Sequence, residues 1–449
     1  MPATIANADE LKEAEPFASA FEQFEKNTSA NTPPWLRALR SAGIAHFSEL
    51  GFPSKDHEEW RFTNVAPIAA LPFRPVTRAP QNGVAAREIE PFIFGDLKCD
   101  RMVFINGHYS PQLSSRLPAA DGIKVSHLAT ALHTDGVIIE KHLGRCARFD
   151  DNAFTALNTA FIQDGAFLYI PARRMLETPI HLLFLSSEPG AAIQPRNLIV
   201  AEAGAKATVI EHYVSLVDSA CLTNAVTEIV AGNNASIEHC KIQRENAQSF
   251  HVATVQAHQD RDSRVISHSI SLGGRIARNN INLVLDGQGI DSILNGLYFA
   301  RGEQLADHHT VADHAKPHCS SHEFYHGILA GRAKGVFNGK IFVRKDAQKT
   351  DAKQTNRNLL LSSEATIDTK PQLEIFADDV KCTHGATVGQ LDDEAIFYLR
   401  SRGIGDALAR NMLVHAFASE ILNRITVEPV RDELDRLIFD LLEAETAKR

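Results

Sequence analysis

Two residues near the end of a strand-like segment have side chains that could take part in metal or sulfur chemistry. Cys382 and His384 lie one residue apart in the segment Asp378–Gly389. Side chains alternate between the faces of an extended chain, so both should share one face and Thr383 the other. Thiolate and imidazole commonly bind iron or zinc. Two ligands leave a tetrahedral site incomplete, and a structural cysteine beside a surface histidine remains the alternative.

A second candidate is His322-Glu323-Phe324-Tyr325-His326, which matches the H-E-x-x-H pattern of zinc-dependent hydrolases. That pattern works on a helix, where residues four apart share a face and the glutamate acts as the base. Gly327 follows at once, which favours an extended chain. On a strand His322 and His326 would lie on one face and Glu323 on the other, so a zinc-dependent hydrolase is the weaker alternative.

Histidines are frequent around this motif. They and one cysteine could bind a metal, but polar side chains spread over strands and turns are the favoured interpretation. The residues are His308, His309, His314, His318, Cys319, His322 and His326. His318 and Cys319 are neighbours in sequence and would point apart on a strand.

Nucleotide-binding motifs are absent from the sequence. The segment Gly335–Ile341 is one residue short of a P-loop and has isoleucine where serine or threonine is required. Gly403-Ile404-Gly405 follows a helical pattern and lacks the third glycine of a dinucleotide-binding turn. We therefore expect no nucleotide on this chain, and a partner would have to hydrolyse any ATP that the protein's function requires.

Composition limits the class of protein. The 449 residues are 44% hydrophobic and 22% charged, with a net charge of −9, which argues against nucleic acid or an anionic membrane as the main partner. Met1–Glu15 has acidic residues and no apolar run, so neither a signal peptide nor a membrane span is predicted, and a cytoplasmic location is expected. Six cysteines without a C-x-x-C pair argue against a disulfide framework or zinc ribbon.

A short sequence pattern recurs through the middle of the chain. A turn and a small residue lead into a pair of apolar, mostly β-branched residues. The equivalent positions are taken as 210, 237, 266, 294, 337 and 367, with steps of 27, 29, 28, 43 and 30 residues. Near-constant spacing without intervening helices predicts a β-solenoid of stacked coils. The 43-residue step suggests an insertion or an extra coil, and a β-sandwich is the alternative fold.

Helical patterns flank the repeats. We predict helices over Ala8–Asn27 and from Pro33 to Gly51, then Asp392–Arg402, a helix capped by Asp406, and Pro429–Ala444. These helices are expected to cap the open ends of the solenoid. The predicted division is a helical domain with a Pro-rich linker at 1–90, a mixed connection at 91–164, the solenoid at 165–389 and a helical domain at 390–449.

Several long motifs carry a resemblance to a known family. They are Asp307-His308-His309-Thr310, His314-Ala315-Lys316-Pro317-His318, Gly335-Val336-Phe337-Asn338-Gly339-Lys340-Ile341, Gln354-Thr355-Asn356, Pro371-Gln372-Leu373-Glu374-Ile375 and Val380-Lys381-Cys382-Thr383-His384-Gly385-Ala386-Thr387-Val388-Gly389. Through them the chain resembles the SufB/SufD family of iron-sulfur cluster assembly scaffold proteins, over at least Asn158–Phe417. The segment Glu58–Thr63 and the few cysteines are similar to the SufD branch rather than the SufB branch.

This resemblance implies a right-handed parallel β-helix flanked by helical domains, and a non-catalytic scaffold rather than an enzyme. It implies pairing with SufB through the end of the β-helix and recruitment of the ATPase SufC by the C-terminal helices. The residues expected to contact SufC are Asp406, Leu408, Met412, Phe417 and Ile421.

The resemblance also implies a role for Cys382 and His384. His384 matches the family's functional histidine at the SufB interface, and Cys382 matches the cysteine beside it. A transient iron-sulfur cluster would be shared with SufB, which would supply a cysteine of its own. Whether a flavin binds the complex, and whether the chain forms a homodimer without SufB, stay open.

Overall fold

A computed structural model describes residues 8–28, 32–79, 83–115 and 122–446 of the chain. The helices are α1 Ala8–Thr28, α2 Pro34–Leu50, α3 Ala66–Ala69, α4 Ala86–Ile89, α5 Leu128–Thr134, α6 Gly136–His142, α7 Ala153–Ala160, α8 Asp393–Ser401, α9 Asp406–Leu422 and α10 Glu428–Thr446. Long helices therefore lie before and after a β-rich middle, as predicted.

Strands fill the middle of the chain. They are β1 Arg74–Pro75, β2 Asp100–Ile105, β3 His108–Tyr109, β4 Lys124–His127, β5 Ala166–Ile170, β6 Ile180–Ser186, β7 Ala191–Ile193, β8 Arg196–Ala201, β9 Lys206–Ser215, β10 Leu222–Ala231, β11 Ser236–Arg244, β12 Phe250–Gln259, β13 Arg264–Ser271, β14 Ile276–Leu285, β15 Asp291–Ala300, β16 Leu305–His314, β17 Ser320–Leu329, β18 Lys334–Val343, β19 Asp351–Leu360, β20 Thr366–Ile375 and β21 Lys381–Gly389.

The strands form two parallel sheets that together make a β-solenoid of about eight turns. Sheet A runs in the order β20-β18-β16-β14-β12-β10-β8-β5-β4, and sheet B in the order β21-β19-β17-β15-β13-β11-β9-β6-β2-β3. Each coil contributes one strand to each sheet, because the chain alternates between them. At the start of the stack β4 pairs antiparallel with β5, and β3 with β2. The predicted solenoid is confirmed, and the β-sandwich alternative is wrong.

The 43-residue step holds no insertion. It begins in β15 of sheet B and ends in β18 of sheet A, so it covers one and a half coils rather than one coil with extra residues. The strand register also corrects the predicted equivalences: Ile237 pairs with Ala207 and Val265, and Phe337 pairs with His308. The spacing identified the repeat correctly, but it could not distinguish the two strands of each coil, because both are short and apolar.

Inward-facing side chains of the two sheets form one continuous core. Apolar members such as Val209, Ile237 and Val265 of sheet B meet Ile229 and Leu283 of sheet A. Polar side chains share this interior: Glu211 accepts hydrogen bonds from the hydroxyls of Thr227 and Tyr213, at 2.6 and 2.7 Å. Buried polar groups are stable only when partnered, and these contacts provide partners for the Glu211 carboxylate in the interior.

The N-terminal helices pack on the outer face of sheet A. Phe17, Phe47 and Phe154 form an apolar cluster with Phe250 and Leu222 on β12 and β10. Gly51, with φ of +63°, ends α2 as predicted.

The segment Glu58–Thr63 connects the N-terminal helices to the solenoid through side-chain contacts. The guanidinium of Arg278 lies 3.8 Å from the centre of the Trp60 ring and donates to Asp307 at 2.9 Å. The Thr63 hydroxyl donates to the same carboxylate at 2.6 Å.

The C-terminal helices cover the outer face of sheet B and leave the last coil open. Val414 and Ala418 of α9 pack against Leu297 and Ile328 of β15 and β17. The expectation that these helices cap the end of the stack is therefore wrong. Their apolar side chains are instead buried against the outer face of sheet B, which removes them from water. In the described part of the chain, no helix is both long and apolar enough to cross a membrane.

Candidate functional site

The last coil of the solenoid is an uncovered edge. Within the described residues β21 pairs only with β19, and β20 only with β18. Large apolar side chains are exposed there: Ile375 by 38%, Phe376 by 59% and Val388 by 50%. An edge strand with free backbone groups and exposed apolar side chains is suited to pairing with another chain.

Cys382 and His384 lie on this edge strand, on its inward face. The register pairs Cys382 with Ala352 and His384 with Gln354, both of which are buried inside the solenoid. Thr383 pairs with Lys353 on the outward face. The predicted sharing of one face is confirmed. Because no further coil follows, His384 is exposed and Cys382 is half-buried, although both occupy interior positions.

The Cys382 thiol is not activated by its own chain. Burial raises its pKa above the ordinary value, while the backbone at Ala352 partly offsets this by hydrogen bonding. Cysteine is nucleophilic and binds metals as the thiolate. The thiol of the isolated chain is therefore protonated at neutral pH, and a metal or a positive group from a partner would be needed to deprotonate it.

The H-E-x-x-H residues lie on β17, a strand, so they do not have the helical geometry that the hydrolase alternative requires. Four residues of strand separate the two histidines by roughly 13 Å, too far for one zinc ion. His326 is committed elsewhere: its ring stacks on Phe417 with centroids 4.4 Å apart, and its Nδ1 lies 3.0 Å from the Phe417 carbonyl oxygen. Glu323 points the other way, into the interior, as predicted for a strand.

The remaining histidines of this region are spread over separate environments. His308 is fully buried and stacks on Tyr298 at 5.0 Å, while His309 on the outer face contacts Asp307 at 3.0 Å and Glu59 at 3.2 Å. His314 is buried next to the Ser321 hydroxyl at 2.8 Å. Among residues 8–28, 32–79, 83–115 and 122–446, no group of three or more histidine, cysteine, aspartate or glutamate residues is arranged to hold a metal.

The sequence patterns did not predict that the buried carboxylate of Glu323 forms hydrogen bonds with residues of other strands. Its Oε2 accepts from the Thr310 hydroxyl at 2.6 Å and from the Gln354 amide at 3.2 Å. Burial raises the pKa of Glu323 to about 7, because desolvation outweighs these two hydrogen bonds. In the sequence, Gln354, Asn356 and Asn358 occupy every second position, and this alternation could have indicated that the inward face of the strand is polar.

The five residues expected to contact SufC fall into two groups. Asp406, Leu408 and Met412 lie on the exposed side of α9, with Leu408 48% and Met412 41% exposed. Ile421 is buried against the solenoid, and Phe417 packs on His326. Asp406 does not cap the helix with its side chain: Gly405 is the N-cap, and Asp406 instead accepts from Arg410 at 2.8 Å.

Two further exposed aromatic residues lie on the neighbouring helix α8. Phe397 is 73% and Tyr398 57% exposed. Single exposed apolar residues are ordinary, but four large ones on two adjacent helices form a candidate contact surface. We call Phe397, Tyr398, Leu408 and Met412 the C-terminal patch. In the sequence, the adjacent aromatic residues Phe397 and Tyr398 within a short, charged helix were the feature that could have indicated the α8 part of this patch.

The sequence that forms this solenoid and its open last coil matches the models of a known family. The model of the SUF system FeS cluster assembly SufBD core domain matches residues 184–417, and that of the SufBD protein N-terminal region matches residues 11–182. The chain belongs to the SufBD family. It is therefore a protein of iron-sulfur cluster assembly, as its motifs indicated.

Relatives of this SufBD chain span most of its length. An iron-sulfur cluster assembly SufBD family protein of Synechocystis sp. is 35% identical, covering 87% of each chain. The iron-sulfur cluster assembly protein SufD of Escherichia coli is 34% identical, covering 86% of this chain and 88% of the relative. SufD of Bacillus subtilis is 28% identical, covering 90% and 94%. The predicted similarity to the SufD branch is confirmed.

Proposed function

We propose that this chain is a non-catalytic scaffold subunit of a complex of the SufB-SufC-SufD type. In this complex His384 and Cys382 contribute to a site, shared with SufB, on which a nascent iron-sulfur cluster is assembled. The cluster is cargo that the site passes on. The observation that carries the proposal is that both side chains occupy interior positions of the solenoid at its last coil, beyond which the described residues place no further strand.

The edge strands are the surface proposed for SufB. A partner that adds strands beyond β20 and β21 would satisfy their free backbone groups and bury Phe376 and Val388. The same pairing would enclose His384 and Cys382 between the two chains. Enclosure excludes water and oxidants, and the partner's cysteine would complete the ligand set that this chain lacks.

The C-terminal patch is the surface proposed for SufC. Leu408 and Met412 lie on α9, whose buried side packs against β15 and β17, and Phe397 and Tyr398 lie on α8, which contacts α9. The two partners would therefore bind different elements of this chain, SufB the edge strands and SufC the helices. Movement of SufC could reach the edge through α9, because Phe417 of α9 is in contact with His326 of β17.

The test is anaerobic co-purification of the chain with SufB and SufC, followed by measurement of iron and sulfide. His384→Ala should leave the complex intact, because one exposed side chain is a small part of a large interface. The complex should carry much less iron and sulfide than the parent complex and should not support growth where this pathway is the only source of clusters.

Thr383→Ala is the matched control, since it alters the next residue on the opposite face of the same strand. It should form clusters at the parental rate. If the His384→Ala complex also does so, the shared-site proposal is wrong.

A further inference from the structure

A column of three polar side chains leads from the interior of the solenoid to the candidate site. Glu323, Gln354 and His384 are register partners on β17, β19 and β21. Glu323 is 0% and Gln354 2% exposed, while His384 is exposed at the open end. Side chains at paired positions of neighbouring parallel strands lie on the same face, with backbones about 4.8 Å apart. Each member of the column is therefore next to the following one.

Glu323 determines which way the Gln354 amide faces. The amide nitrogen Nε2 donates to Glu323 Oε2 at 3.2 Å. The ionised carboxylate, which forms above the Glu323 pKa of about 7, offers only acceptors, so the nitrogen rather than the oxygen of the amide must face it. Gly339 on the opposite sheet makes room for this amide, because a Cβ there would overlap Nε2. The amide is thus held by a hydrogen bond and by the shape of its surroundings.

This orientation leaves the other end of the amide without a partner among the described residues. Gln354 Oε1 is buried and accepts no hydrogen bond from any of them. A buried carbonyl oxygen without a donor is costly, and such atoms in native proteins usually have a partner in the functional state. The next side chain in the column is the imidazole of His384, which carries an N–H in either neutral tautomer.

We propose that Gln354 is the positioning residue of His384. Gln354 Oε1 accepts the N–H of one imidazole nitrogen, which selects one tautomer and orients the ring. The other nitrogen is then unprotonated and free to bind iron. Histidine ligands of metals are commonly held in this way by an acceptor behind the ring. The inference rests on the proposed function only in naming iron as the metal that the free nitrogen binds.

Nitrogen-15 NMR of the histidine rings tests the contact in the chain alone. At about pH 8.5 imidazoles are neutral, and ring nitrogen shifts report the tautomer. The His384 signal is assigned by its loss in His384→Ala. In the parent chain it should show a single tautomer, and in Gln354→Leu a mixture like that of a short histidine peptide. Gln372→Leu, the same substitution at an outward position of β20, is the control and should keep the parental ratio.

Cluster formation in the complex with SufB and SufC is the second readout. Gln354→Leu should lower the rate of iron and sulfide incorporation by about tenfold, as is usual for loss of a group that orients a metal ligand. A mixture of tautomers in the parent chain would overturn the proposal, and this measurement does not need Gln354→Leu to fold. An unchanged single tautomer in Gln354→Leu would also overturn it. A tautomer change in Gln354→Leu supports the contact even if His384→Ala forms clusters normally, a result that would instead refute the proposed function.

Discussion

Gln354 and His384 are register partners on β19 and β21, yet Gln354 is 2% exposed and His384 is exposed. The difference does not come from the strands, which are both regular and in register. It arises because β21 is the last strand of its sheet in the described chain. A position that holds a core side chain in every preceding coil becomes a potential binding site at the final one.

Cys382→Ser should weaken cluster formation less than His384→Ala does. The thiol is half-buried and its pKa is raised, so it requires a partner before it can act as a thiolate ligand. The measurement is the rate of iron and sulfide incorporation in the complex with SufB and SufC. A loss as complete as that of His384→Ala would mean that the thiol is an obligatory ligand.

Glu323→Gln should stabilise the protein at alkaline pH relative to the parent. The folded-state pKa of about 7 lies above the ordinary value of 4.5, because burial penalises the charged carboxylate. The folded state therefore binds a proton more tightly than the unfolded state, and stability falls as pH rises from about 4.5 to 7. A shift of this size corresponds to about 3 kcal/mol. Glutamine does not titrate and avoids this loss.

Thermal unfolding midpoints at pH 5.5 and pH 8 check the Glu323 prediction. The difference between variant and parent should become more positive at pH 8. Glu364→Gln, at an exposed position, should show no such trend. Equal pH dependence in the parent chain and Glu323→Gln would show that the carboxylate does not titrate in this range.

Gly327→Ala should destabilise the solenoid. A Cβ at this position would overlap the ring of Tyr298 and come within 2.5 Å of Asn358 Oδ1. The Tyr298 hydroxyl donates to that same Oδ1 at 2.6 Å, so the change disturbs both packing and a buried hydrogen bond. Overpacking of this kind costs about 1–3 kcal/mol. The measurement is a shift in the denaturant or thermal midpoint.

Gly385→Ala provides the matched control for Gly327→Ala. It is also a strand glycine, but an added Cβ there meets nothing within 4 Å. Its midpoint should be close to that of the parent. An equal loss of stability in both variants would mean that crowding by Tyr298 is not the cause.

Replacing Leu408 and Met412 by aspartate should abolish capture of SufC while leaving the fold intact. Both side chains are exposed on α9, four residues apart and so on one face. Point changes are preferable to removing the helices, since deletion would uncover the apolar outer face of sheet B. Val137→Asp, at a side chain that is 86% exposed on α6, is the control. Undiminished SufC binding by the double variant would refute the assignment of this patch.

The sequence by itself determined the repeat, the helices around it and the common face of Cys382 and His384. These depend on local rules: spacing between turns, helical periodicity, and alternation of side chains along a strand. It also indicated that Glu323 faces away from His322 and His326, because the same alternation applies to any extended segment. Long motifs were sufficient to indicate the SufBD family without any coordinates.

Only the tertiary structure decided which coil is left open and which residues are neighbours across strands. The spacing could not separate the two strands of a coil, so the link between Glu323, Gln354 and His384 depends on register between residues about 30 apart. Likewise, Ile421 and Met412 belong to one helix pattern, but packing on sheet B buries the first and exposes the second. Such contacts join distant segments, and burial at each position depends on what the rest of the chain places against it.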